Sequence, residues 1–309
     1  MSLVDPALEY FVAAYETGSV NAAARRLFIA TSAVSRQLTR LERELGVMLF
    51  DRVPQGLKPT AAGHAFAAYA RRAIGEAAAV TGELRDRETM AAVTVAGTEG
   101  IIHELLPAVA ARASTSHPAL RMRLRRATPA GVSEMVRDGA ADLGVAFNLS
   151  LAAGVQVMHS VPAPVHAVVR RGHPIAGLRE ATFHEITRYP LVLSRSGATS
   201  RILFDAFAAG QGVAVDPVLE TDDIAAVVRF VRGTDAVSLL STVSLTAGER
   251  ADVVAVPMRE QEFRARRLQL QCRVGQSLHP AARVIADLLE EELDASEAGL
   301  AGGSAPDGF

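Results

Sequence analysis

The first sixty residues show apolar positions at helical spacing, interrupted by turn signals. Asp5-Pro6 supplies an N-cap and a proline at the first helical position, and an apolar stripe follows at Leu8, Phe11, Val12 and Tyr15. Gly18 ends this helix, and Ser19 is placed to cap a second helix over Val20 to Leu27. Phe28-Ile29-Ala30 then forms a short turn. The pattern predicts two short helices that lead into a third.

The third helix begins at Thr31 or Ser32, runs to about Glu44 and is ended by Gly46. Its apolar face steps by four, three and four through Val34, Leu38, Leu41 and Leu45. The opposite face has short hydroxyl side chains first and arginines beyond them: Thr31, Ser32, Ser35, Arg36, Thr39, Arg40 and Arg43. Small polar groups can enter the major groove while long cations reach flanking phosphates, so this face is typical of a DNA-recognition helix.

A short β-hairpin is predicted directly after this helix. Leu49 to Arg52 reads as a strand, residues 54–56 as a tight turn and Leu57-Lys58 as a returning strand. We expect Arg52, Gln55 and Lys58 to lie on this wing, against the DNA backbone or the adjacent minor groove. Residues 1–60 are therefore predicted to be a winged helix-turn-helix domain.

Thr60 caps a long helix that is predicted to run to about Arg87. Its apolar positions repeat as a heptad seam: Phe66, Ala70, Ala73, Ala77, Val80 and Leu84. Most of the seam is alanine, so two such helices could approach closely in a dimer. The alternative is a helix that packs on its own domain. Glu88 to Ala92 would form a hinge.

From Val93 onward, short β-branched runs alternate with amphipathic stretches. The predicted strands are Val93–Ala96, Leu120–Arg125, Asp142–Phe147, Val165–Val169, Leu191–Leu193, Ala236–Leu240 and Leu268–Arg273. The predicted helices are Ile101–Ala113, Ala130–Arg137, Arg201–Ala209, Asp223–Arg232 and Ala281–Leu293. This alternation predicts doubly wound α/β units with mostly parallel sheets.

Ligands in such folds gather where strand ends meet helix N-termini. The residues at these positions are Thr98, Glu99, Thr128, Phe147, Asn148, Ser194, Ser196, Thr199, Arg201, Thr221 and Asp222. Helix N-termini with hydroxyl groups suit a carboxylate or phosphate, and Arg195 or Arg201 could add a charge-assisted contact. Each hydroxyl could instead be a plain N-cap. Glu99 and Asp222 would repel an anion unless each pairs with an arginine, so an amine-bearing ligand stays open.

Charge and composition narrow the class of protein. The net charge is −2, but basic residues outnumber acidic ones between Arg25 and Lys58, and the local excess is what a DNA duplex meets. No run of 18 apolar residues could cross a membrane, and the N-terminus lacks the basic start of a secretory signal. The single Cys272 excludes an internal disulfide. We expect a cytoplasmic protein.

Motifs of catalysis are missing from the sequence. It contains no Walker-type phosphate loop, no HExxH and no nucleophile elbow, and its eight histidines are scattered. Cys272 falls in a predicted buried strand, where it acts as a small hydrophobe. We therefore expect no catalytic residue, no metal site, no cofactor and no enzyme activity.

The N-terminal segment resembles a known family through motifs that run continuously over about sixty residues. The stretches TSAVSRQL, LERELG, LFDR and TAAG are similar to the DNA-binding module of the LysR-type transcriptional regulators. Looser similarity continues through MVRDGAADLGVAF, VVRRGHP and VVRFVRGTDAVSLL. The resemblance implies that positions 30–36 meet DNA, with Ser35 and Arg36 at bases and phosphates. It also implies pairing of the long helix in a dimer and assembly of dimers into a tetramer.

The same resemblance implies the domain organisation. Residues 1–60 would bind DNA, 61–91 would form the linker helix and hinge, and 92–293 would form a two-lobed effector domain resembling type 2 periplasmic binding proteins. Lobe I would span 92–161 and 268–293, and lobe II 162–267; residues 294–309 would be a disordered tail. Ala30-Thr31 replaces the family's usual Ser-Gln, Gln55 its frequent Arg and Pro59 its common Leu, so the family's usual operator is not assumed.

These observations predict a ligand-responsive DNA-binding regulator. Its partners would be promoter DNA, a small-molecule effector such as a carboxylate metabolite, further copies of itself and RNA polymerase, with no membrane. One alternative is a solute-binding protein or enzyme fused to a helical dimerisation module. Another is an architectural DNA binder whose C-terminal part only oligomerises.

Overall fold

A computed structural model describes residues 4–54, 56–84, 92–150 and 152–302. The helices are α1 (Pro6–Thr17), α2 (Val20–Leu27), α3 (Thr31–Leu45), α4 (Ala61–Leu84), α5 (Leu106–Ser116), α6 (Pro129–Arg137), α7 (Phe183–Ile186), α8 (Thr199–Gly210), α9 (Ile224–Arg232), α10 (Ala247–Asp252), α11 (Gln261–Arg264) and α12 (Pro280–Gly302). The strands are β1 (Phe50–Val53), β2 (Gly56–Pro59), β3 (Ala92–Gly97), β4 (Arg121–Arg126), β5 (Leu143–Asn148), β6 (Val155–Pro162), β7 (His166–Arg170), β8 (Leu191–Leu193), β9 (Leu219–Glu220), β10 (Val237–Leu240), β11 (Val253–Pro257) and β12 (Arg267–Arg273). Two compact units result, one made of α1–α4 with the β1–β2 hairpin and one made of nearly all the rest.

Local signals position the helices of the first unit. The Asp5 carboxylate accepts from the backbone N–H of Ala7 at 2.9 Å, and the Ser19 hydroxyl accepts from Ala22 at 3.4 Å, so both predicted N-caps form. Gly18 ends α1 and Gly46 ends α3, each in the left-handed region that favours glycine. β1 and β2 then pair antiparallel as the wing.

The first half of α4 belongs to the core of this unit. Ala70 is completely buried there, Ala73 is half-buried, and the Phe66 ring meets Phe11 of α1 edge-on at 4.8 Å between centroids. These three positions therefore contribute to the core of their own module. Phe66 and Ala73 keep part of their surface exposed, so the dimer seam stays a prediction. Ala77 is half-buried. The side chains of Val80 and Leu84 lie outside the described residues.

The second unit contains two five-stranded sheets. One has the order β4-β3-β5-β12-β6 and the other β11-β7-β10-β8-β9. In each sheet two neighbouring pairs are parallel and two are antiparallel. The prediction of mostly parallel sheets was wrong, because the chain returns through β12 in the first sheet and pairs β7 against β10 and β11 in the second.

The sequence pattern did not predict the strands β6, β9 and β11. Most positions of β6 are half-buried instead of alternating between buried and exposed, which is the alternation that marks a strand in a sequence. β9 has only two residues. The chain end also differs from the prediction. α12 continues to Gly302, so the expected disordered tail does not begin at Asp294. Residues 303–309 lie outside the described residues.

The two sheets approach each other at two turns. Ile101–Leu105 forms a π-helical turn before α5, and Thr242–Ser244 forms a 3-10 turn after β10. A Cβ on Gly100 would overlap the Ser244 hydroxyl, so only glycine permits this contact. His103 also bonds to Glu249 of α10, at 3.0 Å between Nε2 and Oε2. These contacts join one lobe of the second unit to the other.

Candidate functional site

Helix α3 divides into a buried and an exposed face, as its pattern predicts. Val34, Leu38 and Leu41 are buried in the core of the first unit. The opposite side is open to solvent, although Ser35 is only half-exposed; its exposed members are Thr31, Ser32, Arg36, Thr39, Arg40 and Arg43. The helix thus presents hydroxyl groups near its start and cations along its length.

The N-terminus of α3 leaves backbone donors available. Its N-cap is Ala30, which cannot supply a side-chain hydrogen bond. The first N–H groups of a helix lack intrahelical partners and carry the positive end of the helix dipole, so they attract phosphate. Ala30 therefore leaves this end of the helix without a side-chain cap.

The cations beside α3 differ in how free they are. Arg40 bonds to Glu44 at 2.7 Å, and Glu44, followed by Asp5, raises the pKa of its guanidinium. Arg36, Arg52 and Lys58 are exposed and make no ion pair within the described part of the chain. Free cations bind phosphate without first breaking another pair. Gln55 lies outside the described residues.

A cavity of about 440 Å³ opens in the second unit between its two lobes. Nine of the eleven predicted effector residues line it: Thr98, Glu99, Thr128, Phe147, Ser194, Ser196, Thr199, Thr221 and Asp222. They come from the ends of strands in both sheets and the helices that follow them. The volume suits a small metabolite.

Two predicted residues do not line this cavity. Asn148 donates to the Gln269 side chain at 3.2 Å, because β5 alternates its side chains and turns Asn148 away from Phe147. Arg201 donates to Asp205 at 2.8 Å and to Glu220 at 2.8 Å. Both carboxylates form ion pairs with the Arg201 guanidinium, so its charge is not free to bind a ligand.

The acidic residues that line the cavity already accept hydrogen bonds from other groups of the protein. Glu99 accepts from Arg126 at 2.6 Å, and Asp222 accepts from the backbone N–H of Arg195 at 3.0 Å. Asp223 caps α9 by accepting from Ala226 at 3.0 Å. These bonds offset the repulsion that the acidic residues would exert on an anion.

Arg266 lines the same cavity and was missed by the sequence reasoning. Only 3% of it is exposed, and its guanidinium lies 4.2 Å from the centre of the Phe147 ring. Burial lowers the pKa of Arg266 to about 9. No local pattern marks it, because it falls among Arg264, Ala265 and Arg267, which are exposed.

Ser241 was also missed, although a signal for it existed. It follows β10 directly, so the rule applied to the other strand ends would have selected it. Ser241 and Thr98 are both buried, and the hydroxyl oxygen of each is buried without a hydrogen-bond partner. Buried polar atoms are nearly always paired in folded proteins, so these two point to a missing partner.

The described part of the chain carries no sign of metal binding, of a membrane span or of a reactive thiol. No group of three or more His, Cys, Asp or Glu residues there could hold a metal ion. No helix in the described ranges has the length and hydropathy needed to cross a membrane. Cys272 is buried in β12, and burial raises the pKa of its thiol, which disfavours the reactive thiolate.

Comparison with known proteins places both units in one family. Residues 6–64 match the model of the bacterial regulatory helix-turn-helix protein of the lysR family, and residues 86–294 match that of the LysR substrate binding domain. The HTH-type transcriptional regulator cbl of Escherichia coli (strain K12) is 26% identical over 310 residues, covering 91% of this chain and 96% of that protein. TfdS of Cupriavidus pinatubonensis is 34% identical over 154 residues, covering 49% and 52%.

Solved structures share the fold. A full-length OxyR variant from Pseudomonas aeruginosa superimposes with a TM-score of 0.72 at 18% identity and covers 93% of both chains. Full-length CbnR in complex with its target DNA gives a TM-score of 0.58 at 21% identity, covering 93% of this chain and 98% of that one. The protein therefore belongs to the LysR family of bacterial transcription regulators, with a DNA-binding helix-turn-helix followed by an effector-binding domain.

Proposed function

We propose that the protein binds promoter DNA as a homo-oligomer and changes transcription when a small molecule enters the inter-lobe cavity. One observation carries this proposal: an exposed polar face on α3, beside a cationic wing, shares a chain with a cavity rich in hydroxyl groups. Such a regulator would act in the cytoplasm, where it would meet RNA polymerase at the promoter.

In this proposal α3 enters the major groove. Thr31, Ser32 and Ser35 would contact base edges or phosphates near the start of the helix, and Arg36 would reach a base or phosphate from its exposed side. Thr39 and Arg40 would follow along the groove. Arg52 and Lys58 of the wing, with Gln55, would contact the flanking backbone. Because Arg40 already pairs with Glu44, we expect it to contribute less than Arg36.

A homo-oligomer follows from the need to read two half-sites. Two copies of α3 on one two-fold axis would bind related half-sites. α4 is the proposed pairing element, but its contact face must avoid the positions buried in the module. Ala65 and Tyr69 are exposed, lie one helical turn apart and could meet a partner. A tetramer built from two such dimers is the further expectation.

The DNA contact is tested by Arg36→Ala. Removing a free cation from the recognition face should abolish specific protection of the regulator's own promoter region in DNase footprinting, while circular dichroism and the oligomeric state stay unchanged. Arg229→Ala provides the matched control, since Arg229 is an exposed helical arginine of the other unit. Unaltered protection by the Arg36→Ala protein would show that α3 does not read DNA in this way.

The cavity is tested by Thr128→Val. Thr128 is exposed in the cavity, and its Oγ1 accepts from the backbone N–H of Gly131 at 3.2 Å. Losing the hydroxyl should raise the effector concentration for half-maximal change in the footprint by roughly tenfold. Thr128→Ser should restore the response.

A second variant controls for the lost helix cap. Thr182 also caps a helix but does not line the cavity, so Thr182→Val should lower thermal stability without changing the response. An effector response that survives intact in Thr128→Val removes that residue from the site. If no metabolite changes the footprint of the wild-type protein, the architectural alternative is favoured.

A further inference from the structure

Arg266 is a buried cation without an acidic partner in the described part of the chain. Its Nε donates to the carbonyl oxygen of Ala163 at 2.9 Å, and Nη1 reaches the Thr199 hydroxyl only at 3.5 Å. Nη2 is buried and makes no hydrogen bond at all. An ionised group that is buried in this way destabilises the fold unless something pairs with it.

The other arginines near the cavity differ from Arg266. Arg126 pairs with Glu99, and Arg201 pairs with both Asp205 and Glu220. Arg195 lines the cavity but is exposed, so water already solvates it. Among the arginines that line the described cavity, Arg266 is thus the one that is both buried and unpaired.

Two hydroxyl groups at the cavity are, like Arg266, buried and unpaired. Thr98 comes from the first sheet and Ser241 from the second, and both oxygens are buried without a hydrogen-bond partner. A hydroxyl can donate to an anionic oxygen. One cation and two hydroxyl donors therefore remain unsatisfied around one cavity.

We propose that the effector carries a single carboxylate group, that this group pairs with Arg266, and that Thr98 and Ser241 donate to it. The inference rests on the proposed function, in which this cavity holds the effector. A planar carboxylate matches the fork of a guanidinium and forms charge-assisted hydrogen bonds with it. A single carboxylate matches the single positive charge of Arg266, which is the buried, unpaired cation in the described cavity lining.

Because of the position of Arg266, a carboxylate bound to it would affect the movement of the lobes. Arg266 directly precedes β12, and Ala163 directly follows β6, so both lie where the chain crosses between the sheets. The two residues are bonded twice, since the Ala163 N–H also donates to the Arg266 carbonyl at 3.0 Å. Phe147 of one lobe and Thr199 of the other flank the guanidinium. A carboxylate on Arg266 would therefore act at the hinge.

The test is a thermal shift of the full-length protein with formate, acetate and benzoate as probes. Each is compared with its uncharged amide, and sodium chloride holds the ionic strength constant. At least one carboxylate should raise the melting temperature in a saturable way while its amide does not. Inorganic phosphate and sulfate run in parallel. If no carboxylate shifts the wild-type protein, or if phosphate or sulfate shifts it more, the proposal is overturned.

Variants assign the effect to Arg266. Arg266→Met should raise the half-saturating carboxylate concentration by roughly tenfold or more, and Arg266→Lys should have an intermediate effect because it keeps the charge but loses the fork. Circular dichroism establishes that each variant is folded, and Arg266→Lys decides the matter if the methionine variant is not. Arg195→Met should change the value much less. An equal loss in both cavity arginine variants would mean general attraction of anions and would contradict the proposal.

A separate experiment tests the proposed function. Footprinting of the wild-type protein on its own promoter region needs no carboxylate, so a missing footprint defeats the regulator proposal and leaves the melting data intact. Conversely, a footprint together with no carboxylate shift defeats only the assignment of Arg266. The two failures are therefore distinguishable.

Discussion

At the scale of single residues, three buried polar groups without a hydrogen-bond partner line the inter-lobe cavity. Thr98, Ser241 and Arg266 each bury a donor that finds no partner there. Each such group costs about 1–3 kcal/mol, and more if charged. Three such groups around one cavity lower the stability of the ligand-free protein. A ligand that forms hydrogen bonds with them would restore that stability, so these residues indicate which polar group the ligand carries.

His166 permits a pH prediction at the same scale. It is buried at the start of β7, and burial, with a smaller contribution from the Arg266 charge, lowers its pKa from 6.5 to about 4. Below pH 6.5 His166 binds a proton in the unfolded chain, whereas in the folded protein it binds one only at about pH 4. Stability should therefore fall as the pH drops through this window, by about 2 kcal/mol at about pH 5.

Urea unfolding of the wild type and His166→Leu at about pH 7 and about pH 5 measures this effect. A side chain that cannot titrate should remove most of the loss between the two pH values, although the variant differs from wild type by a constant amount at both. A pH dependence identical in the two proteins would place the titrating group elsewhere.

At the scale of elements, the junction of the wing and α4 explains the TAAG motif. Thr60 donates from its hydroxyl to the Met48 carbonyl at 2.8 Å and accepts from the backbone N–H of Gly63 at 3.0 Å. A Cβ on Gly63 would overlap the carbonyl oxygen of Leu49. The motif thus fastens the start of the long helix to the segment that leads into the wing.

Gly63→Ala should therefore destabilise the DNA-binding unit by about 1–3 kcal/mol, since backbone must move to admit the methyl group. Gly75→Ala in the same helix is the matched control. No atom lies within 4 Å of a Cβ at Gly75, so alanine there should stabilise the helix by about 1 kcal/mol. Thermal unfolding compares the two variants. Equal changes would mean that helix propensity alone decides both positions.

At the scale of the whole molecule, a contact between Glu249 and His103 joins the two lobes of the second unit. Glu249 is the N3 residue of a capping box with Thr246 and also bonds to His103 of the other lobe. Burial opposes ionisation of Glu249, but the Thr246 N–H and His103 together lower its pKa. In the proposed function, a ligand that prefers one arrangement of the lobes would shift this balance.

Glu249→Gln should weaken the contact between the lobes while keeping the capping box. We expect faster amide hydrogen exchange in the Ile101–Leu105 turn, which lies in the opposite lobe. Glu185→Gln is the control, because Glu185 occupies the same position of a capping box with Thr182. That variant should change exchange only near α7. No difference between the variants at Ile101–Leu105 would mean that His103 does not hold the lobes together.

The sequence predicted much of the fold and most of the named residues that line the cavity, because these depend on local signals. Helix caps, apolar stripes and strand-end hydroxyls act within a few residues of one another, and nine of the eleven predicted effector residues do line the cavity. The heptad spacing of Phe66 and Ala70 did not show that both also pack in the core of the first unit, because that depends on α1, which lies far earlier in the chain.

Periodicity and capping are properties of neighbouring residues, so the amino-acid pattern was enough to predict the winged helix-turn-helix, the α/β class of the second unit and the strand ends that surround its cavity. Which charges are free became visible only in the folded chain. The sequence offered Arg201 as a contact for a ligand, but in the structure it pairs with Glu220, while Arg266, which no sequence pattern marked, is buried at the cavity. Burial and ion pairing depend on residues far apart in the chain, and only the folded chain brings them together.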